Sequence, residues 1–293
     1  MHIQQIQYHV AIKKRKESKY QVLNNPDNAW AADPFLFSYK GEMYIFAEIW
    51  KYNLGEKGRG VIGFCKYSEG KVTEWTEVIR ESYHLSYPYI FSYGNNIYIC
   101  PESGDSGEIY LYRAIDFPYK WEKCISLYDG GAKCVDSTFF KYKGDIFGFT
   151  YCITNENADN CNELWLFKVD NKKICFCDNN PLTVKKEHAR CAGKVINNFG
   201  DLIRVSQDCD GGYGLGVVLN TFSIDPEYNE TVIKTIYPKD IILNKKYRVI
   251  GVHTYNVLND YEVIDIKTKE VSIRMLWYRL ENRVKRRFGD YEK

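Results

Sequence analysis

Three carboxylates near the ends of strand-like runs, Asp33, Glu102 and Asp136, form the candidate set for acid-base chemistry. Glycosyl transfer requires one carboxylate to take a proton from the attacking oxygen, and hydrolysis gains from a second, protonated carboxyl at the leaving oxygen. Like charges crowded together raise the pKa of one member, while a cation such as Arg190 or protonated His253 holds another ionised, so similar residues acquire different roles. Arg190 and Arg204 offer paired guanidinium donors for a carboxylate, a phosphate or a diphosphate. Glu48 competes with Glu102 for a catalytic part and otherwise binds sugar hydroxyls, with Trp30 and Trp50 as stacking faces. His84, Tyr87, Gln207 and His253 complete the expected substrate-binding set. Each has a plain structural alternative: Asp33 capping the turn before Pro34, Asp136 bonding to a neighbouring loop, Glu102 belonging to the exposed turn SGDSG, the tryptophans packed between sheets.

His84, His188 and His253 stand near strand-like entrances, but their spacing lacks the local pattern of a metal motif. No GxGxxG or GxxxxGK[ST] phosphate loop is present, and the GYG of DCDGGYGLG reads as a turn. Neither a metal nor a cofactor is therefore expected.

Residues so far apart in sequence need a scaffold that gathers them. One hairpin signature returns five times at intervals of about 50 to 60 residues: ADPFLFSYKGEMYIFAE, YPYIFSYGNNIYICPE, DSTFFKYKGDIFGFTY, GKVINNFGDLIRVSQD and HTYNVLNDYEVIDIK. Each pairs two strand-like runs about a centre of Gly, Asn or Asp, the local mark of a β-hairpin. That period predicts an all-β, five-bladed β-propeller with mainly four-stranded blades, spanning residues 23–272. Residues 1–22 are then an N-terminal extension or a blade-closing segment, and 273–293 a short basic amphipathic extension. Equivalent strand ends on one face would surround a single funnel. A two-layer sandwich is the alternative that uses similar strands and turns.

A chain of 293 residues, 45% hydrophobic and 27% charged, has the composition of a globular protein with a substantial core. Net charge of +2 excludes nucleic acid as an expectation from charge alone. Ten scattered cysteines without a CxxC pair read as reduced core residues. The N-terminus has no apolar signal-peptide core, and no 18-residue charge-free apolar run follows. The expected address is cytoplasmic, with the inner face of the membrane as an option through the basic C-terminal segment around Arg279, Arg283 and Arg287.

The segments DPFLFSYKGEMYIFAE, HLSYPYIFSYGNNIYICPES, LYRAIDFPYKW, HARCAG, RVSQDCDGGYG and GVHTYN together resemble the propeller-like N-terminal domain of glucosamine inositolphosphorylceramide transferase and its bacterial relatives. More distantly the chain is similar to five-bladed arabinanases, β-xylosidases and levansucrases. Asp33 matches their first-blade Asp by its place in ADPF, whereas Tyr87 and Pro88 stand where a second-blade Asp would be. The resemblance implies a glycosyltransferase of polysaccharide or glycoconjugate biosynthesis. Its implied partners are a sugar donor, nucleotide-linked in one form, and a glycan or lipid-linked acceptor. Asp33 or Asp136 would deprotonate the acceptor while Arg190 and Arg204 meet the leaving phosphate. A glycoside hydrolase or phosphorylase and a noncatalytic glycan-binding propeller are the alternatives.

Overall fold

The computed structural model describes residues 4–52, 54, 59–153, 163–271 and 280. The chain opens with β1 (Gln4–Lys14) and β2 (Gln21–Val22). The first blade holds β3 (Ala29–Tyr39), β4 (Glu42–Lys51), β5 (Arg59–Ser68) and β6 (Lys71–Val72), with β7 (Thr76–Ile79) also paired to β5. The second contains β8 (Ser86–Tyr93), β9 (Asn96–Glu102), β10 (Ile109–Asp116) and β11 (Lys120–Tyr128). The third contains β12 (Lys133–Tyr142), β13 (Asp145–Ile153), β14 (Glu163–Asp170) and β15 (Lys173–Phe176). In the fourth are β16 (Ile196–Asn198), β17 (Asp201–Asp208), β18 (Gly216–Ser223) and β19 (Asn229–Ile236). The last blade joins β20 (Val249–Leu258) and β21 (Tyr261–Val271) to the chain start in the order β2-β1-β21-β20. Five antiparallel sheets, not two facing layers, make this a five-bladed β-propeller. The 273–293 segment lies outside the described residues except for Leu280.

Blades pack face against face, so their strands are apolar on both sides and read as continuous runs rather than as an alternation. Residues 31–37 of β3 are all buried, as are 44–49 of β4. The hairpin between them turns through Lys40 and Gly41 at φ of 50° and 81°, the doubly positive geometry that matches strand twist. Phe35, Phe46, Tyr87, Phe149 and Phe167 lie in one core cluster that runs through the first three blades.

A repeated irregularity prepares the site. On β3, β8, β12 and β20 the pairing register slips between Ala32 and Phe35, Ser86 and Tyr89, Val135 and Thr138, and Val252 and Tyr255. Each slip is a β-bulge, two residues facing one, which frees backbone groups and re-aims side chains. The bulges begin at Asp33, Tyr87, Asp136 and His253, and the first three take left-handed φ of 50°, 43° and 54°. Freed N–H groups of three of these bulges are met by side chains of the same or the adjoining blade. Asp265, opposite the fifth-blade bulge, accepts from His253 N, Thr254 N and Asp33 N at 3.1, 2.7 and 2.9 Å. Asp33 in turn accepts from Tyr87 N at 3.2 Å.

Candidate active site

A pocket of about 360 Å³ opens where these bulges converge, with Asp33, Glu48, Glu102, Arg190 and His253 in its wall. At its centre is a buried charge cluster. The Nδ1 of His253 donates to Asp265 Oδ2 at 2.9 Å and lies 3.0 Å from Asp33 Oδ1, while Nε2 meets the hydroxyl of Tyr213. Burial disfavours the imidazolium, but Tyr213, Asp265 and Asp33 raise its pKa well above the ordinary histidine value. Burial would likewise raise Asp33, yet the His253 cation, and Arg190 more weakly, hold it below its ordinary value. Asp33 is thus ionised at neutral pH, with Oδ1 free of hydrogen bonds among the described residues.

Glu48 is pushed the other way. Burial, then the negative charge of Asp33, raises its pKa well above the usual carboxylate range. Its Oε1 has no hydrogen-bond partner among the described residues. Nε2 of His84 lies 3.5 Å from it. His84 Nδ1 accepts from Gly60 N at 3.0 Å, so the proton of the neutral ring sits on Nε2, facing Glu48. Burial lowers the His84 pKa and keeps that ring neutral. Only glycine fits at position 60: a Cβ there would lie 2.3 Å from Leu85 O and 2.6 Å from both Glu48 Oε1 and His84 Cε1.

Asp136 receives the Arg190 Nε hydrogen bond at 2.5 Å. Burial raises Asp136 to about 6 against the pull of Arg190. The two other guanidinium nitrogens of Arg190 make no hydrogen bond among the described residues. Glu102 accepts from Ser86 Oγ at 2.8 Å and Gly104 N at 2.7 Å, and burial raises it despite those bonds. Trp30 and Trp50, directly paired across β3 and β4, stack at 5.3 Å and 5° beside His84. They form a half-buried aromatic wall of the pocket.

Asp33, Glu102, Asp136, Trp30, Glu48, Trp50, His84, Arg190 and His253 therefore lie in or against one site, whereas three expected substrate-binding residues do not. Tyr87 is 1% exposed, its hydroxyl bonded to Thr138 Oγ1 at 2.7 Å and Gly193 O at 3.1 Å. Its phenol ties blades together instead of facing a ligand. Arg204, also 1% exposed, is consumed by Glu230, Tyr228 and the carbonyl of His188. It cannot form a clamp with Arg190. Gln207 is fully buried and donates to Cys191 O at 3.2 Å. All three sit within strands or at a bulge whose side chain turns into the interblade core. His188 bonds Asn220 and Glu230 lies near it, away from the pocket.

Sequence reasoning missed Tyr8, Asp105, Lys133 and Tyr213 in the wall and Asp265 behind it. Asp265 carried one usable signal, a carboxylate flanked directly by Ile264 and Ile266. Tyr8 comes from β1, whose place in the last blade no local pattern announces.

Asp33, His253 and Asp265 bring ligand-type atoms within 4.8 Å of one another. The surroundings suit a proton and not a metal ion, because four main-chain N–H dipoles already point at the two carboxylates and the imidazole donates between them. Among the described residues no helix is long and apolar enough to cross a membrane.

Solved structures share this architecture. The catalytic domain of the Coprinopsis cinerea GH62 α-L-arabinofuranosidase superposes with a TM-score of 0.56 at 9% identity, covering 83% of this chain and 92% of that one. The RS223 β-xylosidase gives 0.55 at 9%, covering 82% and 92%. At such identity the likeness concerns fold alone. Sequence relatives lie elsewhere: glucosamine inositolphosphorylceramide transferase 1 of Oryza sativa subsp. japonica is 31% identical over 209 residues, 66% of this chain and 26% of the relative. The Arabidopsis thaliana protein of the same name is 31% identical over 219 residues, 71% and 28% respectively. This chain thus spans about a quarter of the length of those relatives. The family model for glucosamine inositolphosphorylceramide transferase 1, N-terminal, matches residues 18–252, and the chain belongs to that family.

Proposed function

We propose that the axial pocket transfers a sugar from an activated donor to a glycan or lipid-linked acceptor. The observation that carries this reading is the presence, in one pocket, of an ionised Asp33, its Oδ1 ion-paired to His253 but accepting no hydrogen bond among the described residues, and an Arg190 with two guanidinium nitrogens that make no hydrogen bond among them. Asp33 Oδ1 takes the proton of the acceptor hydroxyl as the glycosyl bond forms. The free edge of Arg190 receives the charge that develops on the departing phosphate, and Asp136 holds the guanidinium in place. Trp30 and Trp50 support a sugar face, and protonated Glu48 donates a hydrogen bond to a sugar oxygen. The names of the sequence relatives, transferases acting on a phosphorylated lipid, agree with this chemistry.

The test is incubation of the purified protein with nucleotide sugars and candidate acceptors, with detection of product mass and released nucleotide. Asp33→Asn is expected to lower transfer by about 10²- to 10⁴-fold, and Asp136→Asn to lower it by loosening Arg190. Retained turnover in both would remove their chemical roles.

A second reading has its own support. Asp33 and Glu48 are carboxyls driven in opposite directions, the arrangement that supplies a base and an acid for glycoside hydrolysis. Release of reducing sugar, with water as the sole acceptor, would select it. Saturable sugar binding without turnover, unchanged by both substitutions, would select a glycan-binding propeller.

A further inference from the structure

Beside the axial pocket lies a smaller one of about 220 Å³, lined by Tyr151, Lys186, Ala189, Arg190, Cys209 and Tyr213. The two pockets share Arg190 and Tyr213. A single helical turn builds the cationic wall: His188 N and Ala189 N both donate to Lys185 O, at 3.0 and 2.9 Å. Lys186 and Arg190, four residues apart across that turn, come to the same side. Cys209 N donates to Lys186 O at 3.0 Å, which fixes the turn against the loop that carries Tyr213.

The guanidinium of Arg190 is centred 5.4 Å from the ring of Tyr151 and 4.9 Å from that of Tyr213. Held between these rings and by Asp136, it has one remaining edge with which to bond. The Lys186 ammonium has no ion pair or hydrogen bond among the described residues. Lys267 adds positive charge behind Tyr213, donating to Tyr213 O at 2.7 Å with its ammonium 5.7 Å from the ring. The only carboxylate bonded to this group of cations among the described residues is Asp136, and it engages Nε alone.

We propose that this side pocket is an anion subsite that takes a phosphate group, with Arg190 as the planar fork and Lys186 as the point charge. A planar guanidinium matches two phosphate oxygens, and tyrosine walls of low dielectric strengthen the pairing. The volume lies below the roughly 300–1,000 Å³ of ordinary small-molecule pockets, so the subsite fits a compact phosphoryl group and leaves the sugar to the axial pocket. The subsite stands on its own geometry. Its part as the receiver of a leaving phosphate rests on the transfer reading above.

Calorimetric titration of the full chain with inorganic phosphate, uridine diphosphate and inositol phosphate tests it. All three are expected to bind, more weakly as salt rises, and Lys186→Ala to weaken them by about tenfold or more, the loss of one charge-assisted hydrogen bond. Lys186→Arg restores affinity, and the melting temperature reports that each variant is folded. Tighter binding of uridine diphosphate assigns the subsite to a soluble donor; tighter binding of inositol phosphate assigns it to a lipid headgroup. Absence of binding by all three probes, or affinities unchanged in Lys186→Ala, would overturn the proposal. Phosphate binding without sugar transfer would sink the transfer reading and leave the subsite standing, whereas sugar transfer by a protein that binds none of the three probes would do the reverse.

Discussion

Glu48 and Asp33 show how one pocket makes two acids out of the same functional group. Asp33 has a cationic imidazole and a main-chain N–H directed at it, so its negative form is stabilised. Glu48 has a neutral histidine at 3.5 Å and the charge of Asp33 nearby, so its proton stays. The consequence for stability has a definite sign. Glu48 ionises above about pH 4.5 in the unfolded chain but stays protonated in the folded one, so folding weakens by about 1.4 kcal/mol for each pH unit between the two values. Glu48→Gln removes that loss, and its melting temperature should exceed the wild type by more at pH 8 than at pH 5. Equal differences at the two pH values would show that Glu48 is ionised in the fold. Asp33 and His253 bound the range from both sides. The Asp33 contribution is present above its ordinary value and fades as pH falls through the lowered one. That of His253 is present below its ordinary value and fades as pH rises through the raised one.

Among the elements, the bulge is the unit that converts a strand into a site. It turns two residues of β3, β8, β12 and β20 out of the ladder at the axis, and the cost is a set of freed backbone N–H groups, two of which Asp265 satisfies within its own blade while Asp265 and Asp33 each satisfy one across a blade boundary. The first residue of β5 after Arg59 supplies the complementary device. Gly60 leaves room for Glu48 and His84 to approach, and Gly60→Ala forces backbone and side chains apart, at a cost of about 1–3 kcal/mol. Gly41→Ala provides the comparison, since open space surrounds it and only its φ of 81° resists, at about 1–2 kcal/mol. Urea unfolding measures both, and sugar binding separates them: Gly60→Ala should impair it and Gly41→Ala should not. Intact sugar binding in folded Gly60→Ala would show that the Glu48–His84 contact does not shape the pocket.

For the molecule as a whole, the ring is closed by chain ends that are far apart in sequence. β1 pairs with β21 along its length, from Gln4 opposite Val271 to Lys14 opposite Tyr261, and buries Val10, Ala11 and Ile12 completely or nearly so. Tyr8 from the same strand reaches the pocket wall, packing against Trp30 at 4.9 Å and His253 at 5.5 Å. Removing residues 1–14 exposes the β21 edge and an apolar blade face, a template for pairing with another chain. The truncated protein should lose cooperative thermal unfolding and self-associate in size-exclusion chromatography with light scattering. A monomer that still unfolds in one sharp transition would show that closure through β1 is dispensable.

The all-β architecture, the number of blades and most pocket carboxylates were legible because hairpins are local: two apolar runs about Lys40–Gly41 or Lys143–Gly144 declare themselves within some fifteen residues. The fivefold recurrence then implied a shared axis, and with it the meeting of Asp33, Glu102 and Asp136. What no stretch of sequence held was the direction of each side chain once the strands bulged. Tyr87 begins a bulge as Asp33 does, and Arg204 is as cationic as Arg190, yet the packing of blade on blade turned one phenol toward Thr138 and one guanidinium toward Glu230. Asp265 gained its role only because the fifth-blade bulge faces it and the first blade lies within reach. Local pattern determines which elements form, since it depends on neighbours along the chain. Which polar groups remain free for a ligand is decided by contacts between blades, because a buried donor or acceptor must be satisfied by whatever the closed ring brings beside it.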